Sequence, residues 1–145
     1  MKFYSLLMRR INNIVIHCTA TAQTAKVANI RRYWREHLGW NRPGYHKIIE
    51  ADGTVVILAA DNEVCNGVAG HNANSLHVSY IGGIDGLGNP KDTRTRQQLE
   101  AMERIVRDWK RLYPSVSILG HRDFPGVTKA CPSFVVSDWL RQIRL

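Results

Sequence analysis

The feature that most constrains the fold of this chain is the alternation of short β-branched runs with segments of helical periodicity. Residues 13–18 (NIVIHC) form such a run, which is typical of a buried strand. A polar segment follows, and apolar residues then recur at helical spacing as far as Gly39, which is placed to end a helix. The apolar residues of this predicted helix are Val27, Ile30, Trp34 and Leu38.

The middle of the chain has the pattern of a β-hairpin, a long loop and another strand. Residues 45–51 and 54–58 flank an Asp-Gly dipeptide, which strongly favours a hairpin turn. Residues 60–75 are rich in Gly and Asn, so they are predicted to form a long loop, a kind of segment that often carries function. Residues 77–84 again have the pattern of a strand.

The last third of the chain predicts two helices separated by a strand. Thr95 followed by Gln98 is typical of a capping box, and Pro114 is placed to end the helix that it opens. Residues 116–119 predict a short strand, and Ser133 is predicted to cap a final helix. The order β-α-β-β-β-α-β-α indicates an α/β fold in which helices flank a central mixed β-sheet.

The length and composition favour one globular domain. A chain of 145 residues suits a single domain over residues 1–145, and 44% hydrophobic residues exclude a disordered chain or a collagen-like repeat. The longest apolar run, residues 55–60, has six residues, whereas a membrane span needs about 20. The apolar stretch at residues 3–8 is too short for a secretory signal, so we expect the chain to be cytoplasmic as synthesised.

The charge and the cysteines restrict the partners and the redox state. Twenty basic residues against twelve acidic ones give a net charge of +8, which favours nucleic acid, an anionic membrane surface or an acidic cell-wall polymer. The basic residues are scattered, which fits a merely solubilising surface equally well. Three cysteines form an odd, sparse set, which argues against a disulfide framework and for reduced thiols.

Three potential metal ligands stand where predicted strands give way to loops. His17 ends the first strand, His121 follows the last strand, and Cys131 lies in the next loop. Two imidazoles and a thiolate are good zinc ligands, and three protein ligands leave a fourth position open, as in catalytic zinc sites. Pro132 favours an extended Cys131, which would place Lys129 on the same face.

Other interpretations of these three residues remain open. A single strand-end His is often a hydrogen-bonded structural residue, and a single Cys is often a small buried hydrophobe. Cys131 could also be a nucleophile with His121 as its base. The chain contains no HExxH, CxxC, Walker A, GxGxxG or GxSxG motif that would favour another chemistry.

Five motifs in their order resemble one family. The segments IVIHCTAT, GYHKIIEADGTV, NSLHVSYIGGID, GHRDFPG and KACPSF together look like those of the type 2 N-acetylmuramoyl-L-alanine amidases, which include phage enzymes and share a fold with peptidoglycan-recognition proteins. The likeness runs from about residue 13 to residue 139. It implies a zinc amidase that hydrolyses the bond between N-acetylmuramic acid and L-alanine in peptidoglycan, of the phage or prophage lysin type.

The resemblance also implies roles for individual residues. It implies that His17, His121 and Cys131 bind one zinc ion per chain, and that Tyr45 and Lys129 are the catalytic side chains beside it. Weaker candidates for substrate binding are His71 and Asn74. We further expect a monomer that reaches the cell wall after release from the cytoplasm, with nucleic acid an unlikely partner.

Four residues near these motifs are predicted to have supporting or structural roles. Cys18 should face away from His17 and pack in the core, and Cys65 is expected to be structural or a free thiol. His46 is expected to pack or to support a ligand, and Asp123 to stabilise a local turn, pair with its neighbour or orient a ligand.

The sequence departs from the family pattern at two positions. Many relatives have His where this chain has Gly67, and Gly where it has His77. The departures leave the predicted zinc ligands intact but affect how the glycan and the stem peptide would be held, and His71 is a candidate to compensate for Gly67.

Three other functions remain open on the sequence. They are a non-catalytic peptidoglycan-binding module on the same fold, a cysteine hydrolase, and a basic partner of nucleic acid or of a polymerase. The module typically lacks the cysteine ligand, which Cys131 supplies here. The cysteine hydrolase would be sensitive to alkylation but not to chelators, and the basic partner would be retained by DNA in a salt-dependent way.

Overall fold

The computed structural model describes residues 9–145 and places five strands in one mixed sheet. At its centre, β1 (Asn13–Cys18) lies between β4 (Ser75–Tyr80) and β5 (Ser117–Gly120) and runs parallel to both. Beyond β4, β2 (Lys47–Ile49) is also parallel, and β3 (Val55–Ile57) closes that side as an antiparallel edge strand. The strand order β3-β2-β4-β1-β5 confirms the predicted mixed sheet.

Three helices within residues 9–145 cover the two faces of this sheet. Helix α1 (Val27–Glu36) packs Ile30 and Trp34 on one face, against Ile48 and Ile81. Helices α2 (Arg96–Leu112) and α3 (Val136–Gln142) pack on the opposite face. The order of elements along the chain is the predicted β-α-β-β-β-α-β-α.

The central strand β1 explains how the sheet separates two environments. Because successive side chains of a strand point to opposite faces, Ile14 and Ile16 enter the core beneath α2 and α3, whereas Val15 and His17 face the other way. The parallel pairing sets His17 opposite Ser79 of β4. Strands buried on both faces are expected in a parallel sheet with helices on each side, and β4 is buried along its whole length.

The start of α2 confirms the predicted capping box. The Thr95 hydroxyl oxygen accepts the Gln98 backbone N–H at 3.0 Å, and the Gln98 side-chain oxygen accepts the Thr95 backbone N–H at 3.0 Å. The Gln98 amide nitrogen also donates to the carbonyls of Ile49 and Ile81. The cap therefore joins the helix to the sheet.

The predicted start of the last helix was wrong. Ser133 does not cap α3, which begins after Val135 without a side-chain cap. Ser133 instead has a backbone φ of +70°, and its hydroxyl donates to the Gly83 carbonyl at 2.9 Å. This hydrogen bond links the segment before α3 to the residues that follow β4. A local capping pattern does not predict such a contact.

Several predicted boundaries also differ from the structure. Strand β4 begins at Ser75 and ends at Tyr80 rather than spanning 77–84, because Gly82 and Gly83 follow it at φ values of +141° and +103°. The predicted strand over 45–51 is reduced to β2, and α1 ends at Glu36 rather than at Leu38.

No helix within residues 9–145 is long and apolar enough to cross a membrane. The apolar stretch at residues 3–8, on which the expected absence of a signal peptide rests, lies outside the described residues.

Candidate metal centre and active site

Three side chains from separate parts of the chain meet where β1 and β5 end. His17 is near the end of β1, His121 begins a single 3₁₀ turn directly after the neighbouring β5, and Cys131 lies in the loop that follows. One ligand atom from each of them lies within 4.8 Å of the others. Adjacent parallel strands bring their carboxyl ends to the same edge of the sheet, which is why residues 104 positions apart in sequence meet here.

The cysteine is held against β1 by the backbone. The Cys18 backbone N–H donates to Cys131 Sγ at 3.2 Å, and Cys131 Sγ lies 3.7 Å from His17 Nδ1. The rings of His17 and His121 are 4.9 Å apart between centroids. The Nδ1 side of His17 therefore faces the thiol.

The protonation states suit a soft divalent cation. Burial, together with the nearby imidazoles and Lys129, lowers the pKa of His17, and burial lowers that of His121. Both rings are thus neutral and offer a lone pair. The contact with Cys18 and burial raise the pKa of the Cys131 thiol, so a cation is needed to hold it as thiolate. Two neutral imidazoles and one thiol are a donor set that fits zinc.

The two predicted catalytic side chains lie beside this triad. The Tyr45 ring is 4.9 Å from that of His17 between centroids, and its hydroxyl donates to the Cys18 carbonyl at 3.3 Å. Burial raises the pKa of Tyr45, which keeps the phenol protonated. Lys129 is exposed and carries a positive charge beside His17 and His121.

Two clefts meet beside the triad, and His121 lines both of them. One cleft, of about 670 Å³, contains His17, Tyr45 and Cys131 and has an aromatic wall from α1 and the segment after it. The other, of about 650 Å³, runs along the loop before the cysteine. The two clefts share five lining residues, which are Trp40, Asn66, Gly67, His121 and Lys129. The shared residues make the two clefts continuous beside His121.

The side of His17 that faces away from Cys131 is occupied by another imidazole. His17 Nε2 lies 2.9 Å from Nδ1 of His77, which is fully buried on β4. His77 Nε2 in turn lies 2.9 Å from the Asn72 side-chain oxygen. Burial and the nearby charges of His46, Arg9 and His121 lower the pKa of His77 to about 3, so this ring is neutral.

The predicted substrate-binding residues His71 and Asn74 lie outside the two clefts. His71 is exposed, and its ring packs on Phe124 at 4.7 Å between centroids. The Asn74 amide donates to the Arg10 carbonyl before β1. Their role in substrate binding stays a prediction, and these contacts add no support to it.

The expectations for the four neighbouring residues agree with the structure. Cys18 packs in the core beneath α2 and α3, and Cys65 is buried, with burial raising its pKa to about 12. All three cysteines are free. His46 is buried and accepts the His77 backbone N–H through Nδ1. The Asp123 carboxylate accepts the Gly120 backbone N–H at 2.8 Å, which confirms the local-turn alternative.

His77 and Asn72 are the site residues that sequence reasoning missed. A hypothetical Cβ on Gly67 would lie 2.2 Å from His77 Nδ1, so the His77 ring fills the space beside that glycine. His77, not His71, therefore occupies the place next to Gly67. The available signal was a polar residue inside a buried strand, on the face that also carries His17.

Comparison with known proteins places this arrangement in a family. The sequence model of the N-acetylmuramoyl-L-alanine amidase family matches residues 7–134. The endolysin of Enterobacteria phage K11 is 38% identical over 128 residues, which are 87% of this chain and 83% of that protein.

Two solved structures have the same fold. The Ph2119 endolysin from a Thermus scotoductus MAT2119 bacteriophage superposes with a TM-score of 0.77 at 22% identity, over 92% of this chain and 84% of that one. PGRP-SA of Apis mellifera superposes with a TM-score of 0.76 at 20% identity, over 93% and 84% of the two chains. The family match over most of the sequence, with the phage relative and the shared fold, shows that this chain belongs to the N-acetylmuramoyl-L-alanine amidase family.

Proposed function

We propose that this chain is a zinc-dependent peptidoglycan amidase that hydrolyses the bond between the lactyl group of N-acetylmuramic acid and L-alanine. The observation that carries the proposal is the convergence of His17, His121 and Cys131 within 4.8 Å, in the lining of one cleft, in a chain of this family. The three residues would hold one zinc ion through two imidazole nitrogens and one sulfur.

Zinc at this position would supply a Lewis acid for the amide carbonyl and would lower the pKa of a water molecule toward about 7. Amide hydrolysis needs both effects, because an amide is a poor electrophile and water is a poor nucleophile at neutral pH. The residues of this chain provide the remaining requirements, which are charge stabilisation, proton handling and placement of the substrate.

Lys129 is suited to stabilise the oxyanion that develops on the scissile carbonyl. It lines both clefts, two residues before Cys131, and its ammonium carries a full positive charge. A donor fixed beside the place where negative charge develops stabilises the transition state more than the ground state.

Tyr45 is suited to donate a hydrogen bond and to relay a proton, and it is not suited to act as a phenolate base. Its half-buried ring packs on His17, and burial raises its pKa. The Tyr45 hydroxyl donates a hydrogen bond to the Cys18 carbonyl oxygen at 3.3 Å, a contact that orients the phenol beside the triad. A neutral phenol both donates and accepts a hydrogen bond, which is what a proton relay needs.

The shape of the site supports a polymeric substrate. A glycan with attached peptides is extended on both sides of the amide bond, and two clefts with a shared lining at His121 and Lys129 offer room for such a substrate. Tyr33, Trp34 and Trp40 give one cleft an apolar lining. The K11 endolysin relative supports a lysin of the phage type, which would be made in the cytoplasm and act on the wall after release.

Two alternatives are distinguished by simple outcomes. The fold shared with Apis mellifera PGRP-SA favours, as second candidate, a module that binds peptidoglycan without cutting it. A cysteine hydrolase would need a reactive thiolate, yet contact with Cys18 and burial raise the pKa of Cys131. A chelator should therefore inhibit the protein more than brief alkylation does.

The experiment is a digest of purified peptidoglycan with two readouts, using metal-free protein and the same preparation after zinc is restored. We expect zinc to switch on the release of new alanine amino termini without new reducing sugars. Reducing sugar released in step with solubilisation would instead indicate a glycosidase, which needs two carboxylates about 5–10 Å apart. Retention on peptidoglycan with neither product would establish the binding module.

A further inference from the structure

A series of hydrogen bonds links the His17 ring through the His77 ring to the Asn72 side chain, which is hydrogen-bonded to the backbone of the long loop. We propose that His77 is a positioning residue that fixes the tautomer of His17 and so directs the His17 Nδ1 lone pair toward His121 and Cys131. The inference rests on the proposed function only for the identity of the ion. The hydrogen bonds from which we argue the tautomer join residues of the protein and involve no ion.

The direction of each hydrogen bond follows from one unambiguous donor. The Val68 backbone N–H lies 2.8 Å from the Asn72 side-chain oxygen, so this oxygen is an acceptor and the amide orientation is fixed. His77 Nε2 lies 2.9 Å from the same oxygen and must donate to it. A neutral imidazole has one N–H, so His77 Nδ1 carries a lone pair.

The tautomer of His17 follows from that of His77. His17 Nε2 lies 2.9 Å from the His77 Nδ1 lone pair, so His17 carries its proton on Nε2 and donates there. Its Nδ1 is then unprotonated and faces Cys131 Sγ at 3.7 Å. Both rings are buried, and within residues 9–145 neither hydrogen-bonds to a carboxylate that would favour a charged form.

Packing contacts, in addition to the hydrogen bonds, hold the His77 ring in place. The ring stacks on His46 at an interplanar angle of 12°, and the His77 backbone N–H donates to His46 Nδ1. On the loop side, Gly67 leaves room that a single methyl group would remove, since its Cβ would lie 2.2 Å from Nδ1. A partner that orients a metal-binding imidazole usually changes metal affinity by about 10–100-fold.

The first test needs no variant. Long-range ¹H–¹⁵N correlation of the metal-free protein reports which nitrogen of each imidazole bears the proton. We expect His17 and His77 both to be protonated on Nε2 and unprotonated on Nδ1. A proton on His17 Nδ1 in the metal-free protein would overturn the proposal, whatever reaction the enzyme catalyses.

The second test compares two side chains of the same branching at one position. His77→Asn keeps an acceptor oxygen near the place of Nδ1, whereas His77→Leu has none. In competition with a chelator, zinc affinity should fall about 10–100-fold in His77→Leu, and His77→Asn should restore most of it. Unchanged affinity in His77→Leu, or equal losses in the two variants, would show that the ring only fills space.

The third test displaces the His77 ring by a substitution in the neighbouring loop. Gly67→Ala should weaken zinc affinity because its methyl group displaces the His77 ring. Gly86→Ala is the matched control, since nothing lies within 4 Å of a Cβ at Gly86. Equal zinc affinity in the two variants would contradict the positioning role. Failure of the amidase assay alongside the expected tautomers and affinities would overturn the proposed function and leave this inference intact.

Discussion

The two faces of the central sheet are built from the same strands but carry different kinds of side chain. Toward α2 and α3, β1 and β4 contribute apolar side chains such as Ile14, Ile16 and Val78, which form the largest core cluster. Toward the clefts, the alternate positions of the same strands carry His17 and His77. The two-residue period of a strand thus lets neighbouring residues serve stability on one face and chemistry on the other.

Hydrogen bonding explains how the chain accommodates buried imidazoles at the centre of the sheet. A buried polar group costs free energy unless it is hydrogen-bonded, and within residues 9–145 no buried side-chain nitrogen or oxygen lacks a partner. Apolar packing on both sides of the sheet, around Ile14 and Ile16 on one side and around Ile30 and Ile48 on the other, offsets the cost of ordering these polar groups. If this separation holds, substitutions on the two faces should have different consequences.

The largest effect is expected from loss of the thiol on the cleft face. Cys131→Ala should lower amidase activity by more than about 10³-fold, because an incomplete ligand set forfeits several kcal/mol of transition-state stabilisation. The matched control is Cys65→Ala, which removes a buried thiol that lies outside both clefts. Similar activity in the two variants, measured by release of alanine amino termini, would contradict the assignment.

A smaller loss is expected when the cation beside the triad is removed. Lys129→Ala should lower kcat by about 10²–10³-fold, or roughly 3–4 kcal/mol, with little change in KM, because the charge that it stabilises exists mainly in the transition state. Zinc content should be unchanged. Arg104→Ala removes an exposed cation of α2 and serves as control. Full activity in Lys129→Ala, or loss of its zinc, would exclude the proposed role.

Substitutions on the face toward α2 and α3 should lower the free energy of unfolding without changing zinc affinity or kcat. Met102 is fully buried beneath the sheet, so Met102→Ala should lower the free energy of unfolding by about 3 kcal/mol through lost packing and the cavity left behind. Its zinc affinity and its kcat per folded molecule should stay at the wild-type values. Denaturant unfolding and zinc competition measure the two quantities separately, and a parallel loss of both would break the separation of the faces.

The smallest effect is expected at the start of α2. Thr95→Ala removes the acceptor for the Gln98 backbone N–H, which should cost about 1 kcal/mol of unfolding free energy. Thr95→Ser keeps the hydroxyl and should recover most of this loss. The measurement is urea unfolding of both variants, and equal stability of the two would show that the hydroxyl contributes nothing.

Those parts of the fold that depend on local patterns were predictable from the sequence. The β-branched run of β1, the hairpin around the Asp-Gly dipeptide and the capping box of α2 are each determined by neighbouring residues, and the structure contains all three. The sequence also predicted that His17 and His121 lie at the ends of strands, and the structure adds that these strands are parallel neighbours that end at one edge.

What could not be predicted depends on contacts between distant segments. Serine is a residue type that often caps helices, yet the Ser133 hydroxyl donates a hydrogen bond to the carbonyl of Gly83, fifty positions away. The sequence shows His77 only as a polar residue inside a buried strand, because its role beside His17 arises only when β4 pairs with β1 and the loop presents Gly67 and Asn72. Such contacts depend on strand register and loop conformation, which the hydrophobic pattern does not specify.

The zinc content of the purified protein tests the central claim that the cleft face holds one metal ion. Elemental analysis of the wild type should give about one zinc per chain, and the double variant His17→Ala/Cys131→Ala should give almost none. The Met102→Ala variant, altered on the opposite face, should match the wild type. Stoichiometric zinc in the double variant, or an active wild type without bound metal, would contradict the account.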